Sequence, residues 1–432
     1  MAGSADPAPQ LARRLGTVDA VVVGLGAMIG AGVYSVFGPA ADVAGPWLVA
    51  GLLVAAAVAY CNATSSAQLA AQYPTSGGTY AYGRERLGPW WGFVAGWGFV
   101  VGKTASCAAM ALTFATYAVD GPGWLERAVA VGAVLVLVAV NCVGITKTAL
   151  VARVLLAGTL VALVVVVVAL LVTGGMDSPF TGTPAGTGSG SGADVYDVLQ
   201  SAGLIFFAFA GYARIATLGE EVREPERTIP RAIPLALGLT VALYAAVALT
   251  MLSVVGAEVM ASSTAPLASA VRDVGAGWAE PVVRAGAAAG SLGALLGLIA
   301  GVARTSLAMS RHHDLPAPLA AVSARSQVPA RAEIAVGIVV VALVLTADLR
   351  SVIGFSSFGV LVYYAVANAC AFTQEPSHRR WPRLLQVIGL VGCLVLVATL
   401  PWQAVVGGAA VLVVGLAGRG LRLASATRRP SS

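Results

Sequence analysis

The sequence predicts an all-α integral membrane protein of about twelve transmembrane helices. Three observations predict it. Of 432 residues, 58% are hydrophobic and only 11% charged, where a typical globular chain carries about 25% charged residues. The mean hydropathy is +0.84. Apolar stretches recur from one end to the other, each near the roughly 20 residues that cross a hydrocarbon core. Spans and short loops use up the length, so no soluble domain is expected. The net charge of +6 fits basic loops on the inner side of a membrane better than nucleic-acid binding, because no basic run interleaves with aromatics. The five cysteines, Cys61, Cys107, Cys142, Cys370 and Cys393, lie in apolar stretches without a CxxC pair. They read as small buried residues, with neither disulfides nor a metal site. The first fifteen residues are polar, with Pro7 and Pro9, and do not read as a cleavable signal.

The elements follow in order. The first span, about 18–41, contains Gly24-Leu25-Gly26-Ala27-Met28-Ile29-Gly30-Ala31-Gly32-Val33-Tyr34. The second is about 47–69, the third about 90–118 with Lys103 near its middle, the fourth about 128–143 and the fifth about 151–172. Residues 173–192, rich in Gly, Ser, Thr and Pro, read as a flexible loop. The sixth span is about 195–219, followed by the densest charge run, 220–231. The seventh is about 232–255, and a connector at 258–280 is expected to hold a short surface helix. The eighth is about 282–309, the ninth a short 334–347, the tenth 352–372, the eleventh 384–400 and the twelfth 404–416.

The glycines of the first span cost about 1 kcal/mol each inside a helix relative to alanine, so the span is expected to be interrupted there. Two readings are open: half of a ligand site built on a broken helix, or close packing between two helices. Arg13, Arg14, Arg84, Arg86, Lys147, Arg223, Arg227, Arg231, Arg311, Arg325, Arg331, Arg379, Arg380, Arg383 and the arginines of the tail all fall on one side. The positive-inside rule therefore places both termini in the cytoplasm. With this topology spans one and six run in opposite directions, as an inverted repeat of five requires. Span six has its own candidate break at Phe206-Phe207-Ala208-Phe209-Ala210-Gly211-Tyr212. Broken helices at matching positions of two halves mark a transporter's binding site.

The sequence resembles the amino acid–polyamine–organocation (APC) permeases over nearly its whole length. The resemblance rests on Gly26 to Val33, on Tyr73-Pro74-Thr75-Ser76-Gly77-Gly78-Thr79-Tyr80-Ala81-Tyr82, and on Phe207 to Tyr212 followed by Glu220 to Pro225 and Ile229 to Ile233. Arg304 to Met309 and Arg311 to Pro316 extend it. It implies a LeuT-like 5+5 inverted repeat with discontinuous helices 1 and 6 and two peripheral helices. The corresponding boundaries are an N-terminal tail 1–17, a first repeat 18–172, an extracellular loop 173–194, a second repeat 195–372, peripheral helices 373–418 and a C-terminal tail 419–432. It also implies alternating access and amino acid substrates. Met28, Ile29, Gly30, Ala31 and Gly32 would line the substrate carboxylate, whose charge suits the positive end of a half-helix. Phe207, Ala208, Phe209, Ala210 and Gly211 would face the α-ammonium with backbone carbonyls, Phe207 closing over the substrate and Tyr212 lying beside the break.

The sequence departs from that pattern in four places. Ala31 stands where many relatives have Ser. Ala213, followed by Arg214, stands where an acid often follows the Gly-aromatic pair, which disfavours cationic substrates. Thr159 stands where many proton-coupled or exchanging relatives carry a lysine. Gln68 replaces the usual Glu at the end of span two.

Ionisable residues at membrane depth are functional candidates by default. Lys103 would fill the cation position left by the missing fifth-span lysine, titrate in coupling, or be a fixed charge held by broken-helix carbonyls. Arg214 would face the substrate or pair with Glu220 or Glu221. Arg304 snorkels or joins that gate. Thr159 and Ser291, with carbonyls of span one, suit Na⁺, so H⁺ or Na⁺ coupling stays open and no other cofactor is expected. His312 and His313 lack further metal ligands nearby, and no Ser/His/Asp arrangement or phosphate loop points to an enzyme.

The sequence therefore predicts secondary active transport of amino acids, neutral or acidic rather than cationic, by a multi-pass protein of the cytoplasmic membrane. Its partners are the substrate and the lipid bilayer, not nucleic acid, and its oligomeric state is not legible. The alternatives are a membrane sensor with a transporter fold, or, more weakly, a channel.

Overall fold

The computed structural model describes residues 15–75, 77–144, 148–175, 193–217, 221–323 and 326–427. Lys147, Glu220 and Arg325 lie outside the described residues, as does the side chain of Ala31. In chain order the helices are α1 (Thr17–Ser35), α2 (Phe37–Ala44), α3 (Leu48–Gln72), α4 (Gly78–Arg86), α5 (Pro89–Ala118) and α6 (Gly123–Val143). Next come α7 (Thr148–Thr173), α8 (Val195–Phe209), α9 (Ala213–Ala216), α10 (Pro225–Val254), α11 (Gly256–Ser262) and α12 (Pro266–Asp273). The chain continues with α13 (Glu280–Arg311), α14 (Ala330–Thr346), α15 (Leu349–Phe372), α16 (Arg383–Thr399) and α17 (Trp402–Thr427). Among the described residues, ten helical segments are long and apolar enough to cross a membrane. Two further helices, α14 and α16, have 17 residues each, at the lower end of spanning length. Together they correspond to the twelve expected spans, whose helices pair most of their own backbone groups, as hydrocarbon demands.

The packing repeats with an offset of five spans. Spans two and seven (α3, α10), three and eight (α5, α13) and four and nine (α6, α14) pack on each other. Many of the other contacts come in mated pairs: α3 lies on α8 as α10 lies on α1, α5 on α15 as α13 on α7, and α5 on α14 as α13 on α6. Likewise α3 meets α15 as α10 meets α7, and α8 meets α15 as α1 meets α7. Contacts that recur when five spans are added are the signature of two related halves; the contacts of α1 with α13 and α5 are an exception, without a comparable match at α8.

Four expectations need correction. The first span is not interrupted at its glycines: α1 runs unbroken from Thr17 to Ser35, and the discontinuity falls at Val36, before α2. Glycine weakens an isolated helix, but the tertiary contacts described below hold this one. The loop between spans two and three contains a helix, α4. The connector after span seven holds two helices, α11 and α12, rather than one, and each has a buried face opposite exposed residues such as Glu258 and Arg272. Met260, Leu267 and Val271 are fully buried, and α11 packs on α2, α12 on α7 and α13. Finally, α17 continues to Thr427, so Arg419 and Arg422 belong to a helix rather than a tail.

Candidate functional site between the broken spans

Span six breaks where expected. α8 ends at Phe209, a single 3₁₀ turn covers Ala210–Tyr212, and α9 resumes at Ala213. The change from i→i+4 to i→i+3 bonding leaves carbonyls without their helical partners. Side chains from other spans take them up. The carbonyl of Ala210 accepts from Lys103 Nζ at 3.1 Å and from Tyr364 Oη at 3.3 Å. The carbonyl of Ala208 lies 3.3 Å from Tyr244 Oη, which also donates to the Met28 carbonyl at 2.7 Å. One phenol of α10 thus ties span one to span six.

The first-span glycines serve close approach. A Cβ on Gly32 would meet that of Ala208 at 2.7 Å, and one on Gly30 would meet the Gly290 carbonyl of α13 at 2.8 Å. From the other side, a Cβ on Gly211 would lie 2.4 Å from the backbone carbonyl of Ala27 and 2.6 Å from the nitrogen of Met28. The two halves of the site therefore touch backbone to backbone at Ala27–Met28 and Gly211. Met28, Ile29, Phe207, Ala208, Phe209, Ala210 and Tyr212 are each at most 6% exposed, so the site is closed. Phe209 stacks obliquely on Tyr244 at 5.3 Å and Tyr212 on Tyr364 at 5.0 Å. In this closed form the amides of Met28 to Gly32 lie inside a continuous helix.

Thr159 of α7 is buried against the other flank of α1. Its hydroxyl lies 2.9 Å from the Leu155 carbonyl and 3.1 Å from that of Gly286. A Cβ on Gly290 would be 2.7 Å from the Gly30 carbonyl and 2.8 Å from Thr159 Oγ1, so Thr159, Gly30 and Gly290 converge. Ser291 is buried beside them in sequence, with no hydrogen-bond partner for its hydroxyl among the described residues. Lys103 does not share these contacts. Its ammonium is on the sixth-span break, so the structure gives it carbonyl coordination rather than the place of Thr159.

Arg214, on α9, is half-buried and has Arg304 and Glu221 as its electrostatic neighbours. Glu221 and Arg304 form a loose ion pair at 3.8 Å. The same loop is fastened to the start of α1: Leu15 N–H donates to the Glu221 carbonyl at 3.1 Å and Arg223 N–H to the Leu15 carbonyl at 2.9 Å.

Sequence reasoning missed Tyr244 and Tyr364, which complete the site. Their signal was a hydroxyl-bearing aromatic in the interior of an apolar span, where such a group must find a partner. It also missed a buried cluster beyond the end of α13. Asp314 accepts from Tyr80 Oη at 2.8 Å and pairs with Arg84 at 3.1 Å and Arg419 at 2.5 Å. Arg419 lies 5.0 Å from the rings of both Trp90 and Phe93. Burial, then the bond to Asp314, pushes the Tyr80 phenol up, so Tyr80 stays a donor.

Comparison with known proteins agrees with this architecture. The family model "Amino acid permease" matches residues 15–414. The chain belongs to the amino acid permease family. It is 58% identical over 413 residues to an uncharacterized transporter of Mycobacterium tuberculosis, covering 96% of this chain and 92% of that protein. It is 28% identical to the vacuolar cationic amino acid transporter 4 of Arabidopsis thaliana, over 84% of this chain and 63% of that protein. It is 26% identical to the branched-chain amino acid permease BcaP of Bacillus subtilis, over 94% and 92%. As an APC-superfamily permease the chain is an all-helical, multi-pass membrane protein.

Proposed function

We propose that this permease is a secondary active transporter that moves amino acids across the cell membrane by alternating access, with both termini cytoplasmic. The observation that carries the reading is the crossing of span one with the break in span six. There the backbone at Ala27–Met28 meets Gly211, and the carbonyls of Ala208 and Ala210 are held by side chains that a ligand can replace. A substrate carboxylate would be received by the amides of Met28, Ile29, Gly30, Ala31 and Gly32 once α1 opens there. Its ammonium would be received by the carbonyls between Phe207 and Gly211. Tyr244 and Phe207 would close over it.

Neutral or acidic substrates fit better than cationic ones. Arg214 stands just beyond the break, and no acid follows Gly211-Tyr212. The relatives named as cationic or branched-chain transporters show that the family's substrate range is broad enough to need a direct test. Thr159 and the Gly30 carbonyl offer oxygen ligands of the type a Na⁺ ion takes, while Lys103 offers a titratable site for H⁺, so coupling by either ion is compatible with the side chains present. The test is uptake of a panel of labelled amino acids into proteoliposomes holding the full chain, with pH and Na⁺ gradients imposed separately. Uptake or exchange of a neutral or acidic amino acid is expected. Movement of arginine and lysine alone overturns the substrate class, and binding without movement of any amino acid overturns transport.

A further inference from the structure

Lys103 is 5% exposed, sits in the middle of α5, and has a single direct partner among the described residues, the freed Ala210 carbonyl at 3.1 Å. It forms no ion pair among the described residues, whose ion pairs all lie elsewhere. The hydroxyls beside it are committed: Thr104 bonds the Val100 carbonyl at 2.7 Å and Ser106 lies 2.6 Å from Ser356 Oγ. An ammonium has three donors, so a buried cation stands at the break of span six with donors to spare and no counter-charge among the described residues. Four residues past Ala210, on span six itself, Arg214 carries a further positive charge, with Arg304 and Glu221 as its neighbours.

We infer that Lys103 makes this a site for net-anionic amino acids, with its ammonium pairing to the second carboxylate of an acidic substrate. The inference rests on the transport reading above and narrows its substrate class. A neutral zwitterion brings no net charge, and its α-ammonium must displace Lys103 from the Ala210 carbonyl without offering the lysine a carboxylate in return. An acidic amino acid brings one more negative charge than positive. Its α-ammonium takes the carbonyls of span six while its side-chain carboxylate takes the displaced Lys103. A buried charge left unpaired is strongly unfavourable, and supplying its partner recovers that loss. A cationic substrate adds a further positive charge and is rejected.

The test is counterflow into proteoliposomes preloaded with unlabelled glutamate, aspartate, leucine, alanine or arginine. Wild-type protein should exchange glutamate or aspartate about tenfold or more over leucine. Lys103→Met should lower the acidic-to-neutral ratio by about tenfold, and Lys103→Arg should keep the wild-type order. Wild-type exchange of leucine or alanine in preference to the acidic pair overturns the inference and leaves the transport reading standing. An unchanged acidic-to-neutral ratio in a folded Lys103→Met variant overturns it too. Absence of exchange for every amino acid overturns both readings. Should Lys103→Met not fold, the wild-type ratio decides alone.

Discussion

Span one and span six occupy equivalent places in the two halves, yet they are interrupted in different ways. Span one passes its glycines as an intact helix and bends only at Val36. It is embedded directly against α13 and α5, with Gly30 against Gly290. Span six gives up its α-helical bonding at Ala210–Tyr212. Neither α5 nor α13 packs on α8 to a comparable degree, and α5 reaches the break through the Lys103 side chain. Small residues make a span dense and leave its backbone satisfied. A break met by long polar side chains leaves carbonyls that can change partner. The difference teaches that, in this closed form, span six carries its carbonyls on side chains of other spans while span one is a wall packed backbone to backbone against it.

The sharpest way to break this comparison is to add one methyl group to each span. In Gly211→Ala the new Cβ meets backbone, 2.4 Å from the Ala27 carbonyl, and no side-chain trimming can relieve it. Counterflow should fall to background even in protein that elutes as a single species. Tyr244→Phe comes next. It removes the hydroxyl shared by the Met28 and Ala208 carbonyls and should cost about 1–3 kcal/mol through buried acceptors left unpaired, read as a lower melting temperature in detergent together with slower exchange. Gly24→Ala should cost less, about 1 kcal/mol if unrelieved, the low end for overpacking. Its Cβ meets only side chains, Ile215 Cδ1 at 2.3 Å and Ala236 Cβ at 3.3 Å, so Ile215→Val should restore much of the stability. If Gly211→Ala were rescued as readily, the contrast between the spans would not stand.

The smallest effect belongs to a helix cap outside the break and serves as the baseline. Asp348 caps α15, accepting from Ser351 N–H at 2.9 Å and Oγ at 2.6 Å. Burial raises its carboxyl, but the Ser351 bonds outweigh this and hold it below the usual value. A depressed folded-state value means the stabilisation is present at neutral pH and is lost as pH falls through that value. Asp348→Ala should therefore cost about 1 kcal/mol at neutral pH, shrinking under acid, with exchange specificity unchanged.

Much of this was legible in the sequence. Hydropathy located the spans because a bilayer leaves the backbone few other choices, and the stretch Phe206 to Tyr212 marked the sixth-span break because it lies at the position of the second half that matches the glycine stretch of the first. The first span was misread for a physical reason. Glycine propensity describes an isolated helix, whereas Gly24, Gly30 and Gly32 face Ile215, Gly290 and Ala208, residues far away in sequence. Tyr244 and Tyr364 were invisible as site residues for the same reason, since what defines them is the carbonyl each reaches. Arg419 looked like a tail charge because nothing local says that Asp314, Trp90 and Phe93 form its socket.

The short bridge between Leu15 and Val222 has a mechanical consequence. Two backbone hydrogen bonds yoke the leading end of span one to the segment trailing span six, so these ends share one degree of freedom. Any opening on that face must either swing both ends as a single lever or first snap the yoke. A disulfide engineered across positions 15 and 222 tells the two apart: a lever keeps turning over when the ends are locked together, and a latch stalls.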